Sequence, residues 1–331
     1  MDNPGSKSSL SRPWFRWILL SLLALALFLA AAGFLYENIS EARDRRFNQM
    51  PGKLIDVGGR KMHIHCTGEG SPVVVLDSGL GDTFVSWRKV QPEIAKFARV
   101  CSYDRAGLGY SEPSPEPRTS KVIARELRAL LHAAAIPPPY VLVGHSMGGY
   151  NVRLFAGLYR DEVAGMVLVD SSHPDQESRL PPELRNLEGT EIQESELLEF
   201  GMPFGVPRLL RLCEDDAVPR AAECNFRSAQ EGVRELKAFR ESAAQAGAIT
   251  SVGDLPLVVL SHDPDKPSSE FPPQLSKSIN QAWEKMQEDL AHLSTRGTQR
   301  IAKNSSHYIQ LDRPDMVVAA VRDVLNPVGH P

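Results

Sequence analysis

Three things are missing from this chain, and each absence removes a class of function. First, it lacks a strong net charge. Its 331 residues carry 37 Lys+Arg against 41 Asp+Glu, a net of −4, and no dense basic run breaks that balance. A nucleic-acid binder needs such a footprint, so that class is set aside. Second, cysteine is scarce: there are four, and none stands in C-x-x-C spacing. Zinc ribbons and thioredoxin-type redox sites need that spacing, so no metal site is expected. Third, no segment repeats at a fixed period, which removes the solenoid and propeller architectures. What remains is 42% hydrophobic and 24% charged, the composition of a globular chain long enough to bury one substantial core.

One stretch departs from that composition. Trp17 to Tyr36 reads WILLSLLALALFLAAAGFLY, twenty residues without a charge. At a helical rise of about 1.5 Å per residue it reaches about 30 Å, the thickness of a bilayer core. Trp14, Trp17 and Tyr36 mark its ends, where aromatic rings favour the membrane interface. Lys7, Arg12 and Arg16 precede it, while Arg43, Arg45 and Arg46 follow among Glu37, Glu41 and Asp44. The basic residues ahead of the span predict a cytoplasmic N-terminal segment (1–16), a transmembrane signal anchor (17–36) and a stalk (37–52), with the rest outside the cytoplasm. The alternative is a secretory signal cleaved at Ala30-Ala31-Ala32. The four cysteines suit either outcome, since both lead to an oxidising compartment.

Beyond the stalk, strand and helix patterns alternate in the manner of a parallel α/β sheet. The expected strands are Lys61 to Cys66, Val73 to Leu76, Ala98 to Tyr103, Tyr140 to Val143, Gly165 to Val169, Leu257 to Leu260 and Gln299 to Ala302. Ser120 is the expected cap of a helix over 121–135, with Val122, Ile123, Leu127, Leu130 and Leu131 on one face. About eighty residues between Val169 and Leu255 carry no strand pattern. Prolines 181, 182, 203, 207 and 219 punctuate them, and an amphipathic helix is expected over Glu231 to Gln245. That length is too great for a plain loop, so residues 171–254 read as a helical cap inserted between two core parts, 53–170 and 255–331. Phe200, Met202, Phe204, Leu209 and Leu210 read either as an apolar pocket lining or as the cap's own core.

The chemistry centres on Gly144-His145-Ser146-Met147-Gly148. An apolar strand runs into this segment, and Val152, Leu154, Phe155 and Leu158 continue it as a helix. A serine on so sharp a strand-to-helix turn needs strained backbone angles and small neighbours, and the turn lifts its Oγ clear of the sheet. Acyl chemistry also needs a base, an acid to orient it, and donors for the oxyanion. Of nine histidines, His307 lies in a polar loop after the last expected strand, ahead of the helix that begins at Pro314. His63 and His65 fall in a strand, His145 in the turn itself, and His330 at the chain end.

With these residues the chain resembles the α/β-hydrolase superfamily, in its serine hydrolase or esterase-like branch, over about residues 53–326. Gly144 to Gly148 resembles its nucleophile elbow. Leu76-Asp-Ser-Gly79-Leu80-Gly81 stands where the family carries His-Gly-x, with Ser78 in place of the histidine. The resemblance implies an α/β-hydrolase fold, a mostly parallel sheet with helices on both faces under a helical cap. It implies Ser146 as nucleophile, His307 as base, and the N–H groups of Leu80 and Met147 as oxyanion hole. The acid usually follows the strand after the cap, which gives Asp265 first; Asp170, at the end of the strand after the elbow helix, and then Asp263 are the alternatives. Because the family's second and fourth strands are neighbours, the resemblance also implies bridges Cys66–Cys101 and Cys213–Cys224. Asp104-Arg-Ala-Gly107-Leu-Gly109 reads as a structural turn rather than a dinucleotide site, since no helix follows it.

The expected activity is hydrolysis of a carboxylic ester through an acyl-enzyme, on a small-molecule or lipid-like substrate, without cofactor or metal. An acyltransferase or peptidase with the same residues, and a silent membrane-anchored receptor of the same fold, are the rival expectations.

Overall fold

The computed structural model describes residues 13–47, 50–184, 187–213, 221–266 and 271–326. Lys7, Arg12, Pro219 and His330 lie outside them. Eight strands form one sheet: β1 (Lys53–Asp56), β2 (Lys61–Thr67), β3 (Val73–Asp77), β4 (Val100–Tyr103), β5 (Tyr140–His145), β6 (Val163–Val169), β7 (Leu257–His262) and β8 (Gly297–Ala302). Their spatial order is β1-β2-β4-β3-β5-β6-β7-β8. β2 runs antiparallel to both β1 and β4, and every other pairing is parallel.

The central strands are apolar on both faces because helices cover both. Alternation then sorts their residues into two cores. Val75, Leu142, Leu168 and Val259 pack with Leu127, Leu130 and Phe155 on one side. Val74, Val141, Val143 and Val167 pack with Trp87, Val317 and Val321 on the other. A slip of one residue in any of these strands would exchange the two sets, so the register is strongly specified. Cys66 and Cys101 are direct partners across β2 and β4, and the bridges Cys66–Cys101 and Cys213–Cys224 are both formed.

Some expectations are corrected. Ser120 is the first residue of the helix Ser120–Ala133 rather than its cap; Thr119 holds the cap position, and the Ser120 N–H donates to Ser242 Oγ at 3.0 Å. The amphipathic helix expected over 231–245 is two helices, Phe226–Lys237 and Phe239–Gly247, joined at Ala238. An edge strand and a long helix are among the elements without a counterpart in the sequence reading. The short edge strand β1 is largely exposed and so carries no apolar alternation. The helix Pro273–Ala291 does carry a signal, with Leu275, Ile279, Trp283, Met286 and Leu290 at helical spacing.

The apolar N-terminal run belongs to one helix, Pro13–Phe47, that continues through the stalk. It is long and apolar enough to cross a membrane, and no residue of its most apolar stretch is buried in protein.

Candidate active site

Ser146 sits between β5 and the helix Gly148–Leu158 with φ +50°. A residue with a Cβ is held in that left-handed region only when its surroundings over-determine it. Here they do. A Cβ on Gly144 would meet the Gly148 carbonyl at 2.5 Å, and one on Gly149 would overlap Ser171. The Ser146 N–H donates to Val169 O at 3.2 Å, and Ser146 O accepts from Ser172 N at 3.0 Å. The turn is thereby fastened to the end of β6, where the candidate acid begins.

That acid position separates the three aspartates. Asp170 directly follows β6 with φ +44° and is fully buried. Its carboxylate lies 2.7 Å from His307 Nδ1. It also accepts the His262 N–H at 2.9 Å, Trp283 Nε1–H at 2.9 Å, and His262 Nδ1 at 2.9 Å. Since a carboxylate only accepts, both imidazoles present Nδ1–H to it. Burial pushes the Asp170 carboxyl upward, but the two histidines outweigh it and hold the group far below the usual carboxylate range.

Asp265, the first choice from sequence, is 83% exposed and pairs with Lys303 at 2.9 Å. It lies outside the His307 contact because the chain turns outward after β7. Asp263 faces the loop instead: it accepts Asn304 N at 2.8 Å and Lys303 Nζ at 3.0 Å, bracing the segment that carries His307 without touching the imidazole.

Sequence reasoning passed over His262 and Trp283. His262 ends β7, one residue before the loop searched for an acid, and its Nε2 meets Asn280 Oδ1 at 3.3 Å. Burial depresses the His262 imidazole, but Asp170 more than restores it and raises it above its ordinary value. His145 is a different case. Burial first, then the nearby His307, hold it down at about 3. As a neutral ring its Nε2 reaches His307 O at 3.0 Å, so it fixes the backbone of the loop opposite the serine.

The loop Ser78–Gly81 is built by charges from below and above. Arg105 is buried and donates to Ser78 O (2.7 Å) and Gly79 O (2.6 Å), to Asp77 (3.0 Å), and to Glu235 of the cap helix at 2.6 and 2.8 Å. Glu235 in turn accepts the Gly81 N–H at 2.9 Å. Ser78 donates inward to Thr83 O at 2.8 Å. Arg105 and Glu235 thus clamp the two ends of a loop whose middle residue, Leu80, faces the cleft. Among the described residues neither Leu80 N–H nor Met147 N–H donates to a backbone acceptor outside a helix, as expected of a turn and of a helix start. The Asp104-Arg105 segment is structural, as expected: Asp104 holds Phe84 N at 2.9 Å and His63 Nδ1 at 2.8 Å.

Leu80, Ser146, Trp283 and His307 all line one cleft of about 1070 Å³, walled on its other side by cap residues including Leu180, Leu236 and Phe239. Of the five residues weighed as a pocket lining, none is among the cleft residues; Met202 is buried, while Phe200, Leu209 and Leu210 face outward. No group of His, Cys, Asp and Glu among the described residues has the arrangement of a metal site.

Residues 72–194 match the family model described as alpha/beta hydrolase fold. The chain is 28% identical to the uncharacterized protein YqjL of Bacillus subtilis (strain 168), over 82% of this chain and 91% of that one. Its fold is similar to that of a thermophilic esterase from Thermogutta terrifontis, with TM-score 0.60 and 23% identity over 85% of this chain and all of the other. It is equally similar to the epoxide hydrolase CorEH, with TM-score 0.62 and 19% identity over 84% of this chain and 99% of that one. Sheet order, elbow and matched segment agree, and the chain has the α/β-hydrolase fold.

Proposed function

We propose that this protein is a serine hydrolase that cleaves a carboxylic ester through an acyl-enzyme, with Ser146, His307 and Asp170 as its triad. The observation that carries the reading is the 2.7 Å contact of buried Asp170 with His307 Nδ1, beside a serine in strained geometry on the same cleft. Asp170 fixes the tautomer with Nδ1 protonated, which leaves Nε2 as a base. Ser146 Oγ attacks the ester carbonyl as its proton passes to His307 Nε2. The Leu80 and Met147 N–H groups hold the oxyanion, a contribution of about 10²–10³ in rate per donor in comparable sites. His307 then protonates the leaving alcohol, and water repeats the cycle on the acyl group. A serine at this position argues against chemistry that needs a carboxylate nucleophile.

The same reading makes the N-terminal helix a membrane anchor, with the hydrolase domain outside the cytoplasm. Its support is the paired cysteines, which suit an oxidising compartment, and the unbroken helix through Ala30–Ala32.

Ser146→Ala is the direct test. It is expected to lower turnover of a short-chain activated ester by about 10⁵–10⁶ and to abolish labelling by a fluorophosphonate probe. Labelling at the wild-type level would sink the assignment.

A further inference from the structure

The cap carries an apolar surface that neither its core nor the cleft uses. Leu197 and Phe200 are each 71% exposed, and Leu209, Leu210 and Leu212 are 65%, 63% and 60% exposed. Contiguous patches of large apolar side chains on soluble surfaces mark interaction sites. What stands beside this one is the N-terminal helix. A Cβ on Gly33 would meet the Phe204 carbonyl at 2.5 Å, and one on Gly205 would meet the Tyr36 ring at 2.8 Å. Arg208, next in sequence to Leu209, is ion-paired with Glu37 at 2.9 Å and Asp44 at 2.6 Å, all three largely buried. The same guanidinium donates to Cys224 O at 2.9 Å, and the Cys213–Cys224 bridge ties down the chain just after the leucines.

These contacts fix the height of the patch. Gly33 precedes Tyr36 by three residues, about 4.5 Å along a helix axis, so the cap backbone at Phe204 is level with the last turn of the apolar run. We propose that this face of the cap is a membrane-docking surface. It seats in the interface of the leaflet from which the helix emerges, with Phe200, Leu209, Leu210 and Leu212 among headgroups and outer acyl carbons. Large apolar side chains with a basic neighbour suit that boundary, and exposed Arg211, between Leu210 and Leu212, can reach headgroup phosphates. The occupant is a lipid surface because the ion pairs at Arg208 hold the patch against the anchor itself. One wall of the cleft is carried to that boundary, since the helix Leu187–Gly201 gives Ser195 to the cleft and Leu197 and Phe200 to the patch.

The inference rests on the anchor reading, and the experiment separates the two. The full chain in phosphatidylcholine nanodiscs receives single nitroxides at Leu25→Cys, Leu210→Cys, Phe200→Cys or Glu177→Cys, and its accessibility to oxygen and to a nickel chelate is measured. All native cysteines are paired, so labelling is site-specific. Leu25, Leu210 and Phe200 are expected to favour oxygen severalfold over the control Glu177. Phe200 gives an independent reading where a thiol at Leu210 disturbs the adjacent bridge. Water-like values at Phe200 and Leu210 with a lipid-like Leu25 overturn the docking and leave the anchor. A water-like Leu25 overturns the anchor and the docking with it. Water-like values accompanied by label–label broadening that dilution with unlabelled chain removes identify a second copy as the occupant and also overturn the proposal.

Discussion

The ends of β6 and β7 are neighbours in one parallel sheet, both lead into polar loops, and both offer aspartate to His307. They differ in what surrounds the carboxylate. Asp170, after β6, is fully buried and takes N–H donors from four groups on three segments of chain. Asp265, after β7, is 83% exposed and meets one lysine. A carboxylate has about four lone-pair positions, and filling them all with N–H groups is what makes burial of the charge tolerable. The comparison teaches that an acid poised on an imidazole is specified by its donors more than by its distance along the chain.

The sharpest way to break this comparison is to exchange the charge for an amide at each site. Asp170→Asn is expected to lower kcat by about 10³–10⁴, because the amide can offer N–H to His307 and favour the wrong tautomer. Asp265→Asn is expected to leave kcat and KM of the same ester within about twofold, in line with exposed ion pairs of little energetic weight. Equal losses at the two positions would erase the distinction drawn here.

His262 tests the contribution of the second imidazole. Its raised value means that it favours folding most when protonated. That stability is fully present below the ordinary imidazole value of 6.5 and is lost as pH rises through its higher value in the fold. The wild type is therefore expected to lose melting temperature above pH 6.5, and His262→Gln to flatten that fall. As a positioning residue acting through Asp170, it should also lower kcat by about tenfold with little change in KM, the pattern of a weakened transition-state interaction. A wild-type melting temperature that does not fall over that window would remove the titrating role.

The smallest effect belongs to Asp263. Its carboxyl is held below the usual range, first by the Asn304 N–H, which with Lys303 outweighs the opposing effect of burial. Its contribution to folding is present above the ordinary carboxylate value of 3.8 and is lost as pH falls through the lower folded one. Asp263→Asn is expected to cost about 1 kcal/mol, the net scale of one intramolecular hydrogen bond, read as a lower melting temperature at neutral pH. A tenfold or larger loss of kcat without a change in stability would mean that Asp263, rather than Asp170, serves the imidazole.

Much of this architecture was legible along the chain because it is written in local periods. The apolar runs of β3, β5, β6 and β7, the glycines around Ser146 and the twenty uncharged residues from Trp17 all act through neighbours within a few positions. The candidate nucleophile and base followed from the elbow pattern and from chain order. The helix Pro273–Ala291 carries the same kind of signal in Leu275, Ile279, Trp283, Met286 and Leu290, but polar residues dominate between them and it went unread. β1 carries none, since an exposed edge strand of four residues has no buried face to pattern.

Spacing could not choose among Asp170, Asp263 and Asp265, nor decide where the cap's apolar residues point. Phe200, Leu209 and Leu210 look the same in sequence whether they line a cleft, fill a core or face outward. Burial and donor geometry arise between segments far apart in the chain. Asp170 gains its four donors only when β7, the helix Pro273–Ala291 and the loop after β8 converge on the end of β6. The chain by itself determined which residues were candidates for the chemistry and that a membrane-length helix precedes them; the tertiary structure alone decided which carboxylate meets His307, because only there do distant N–H groups replace the water that a buried charge gives up.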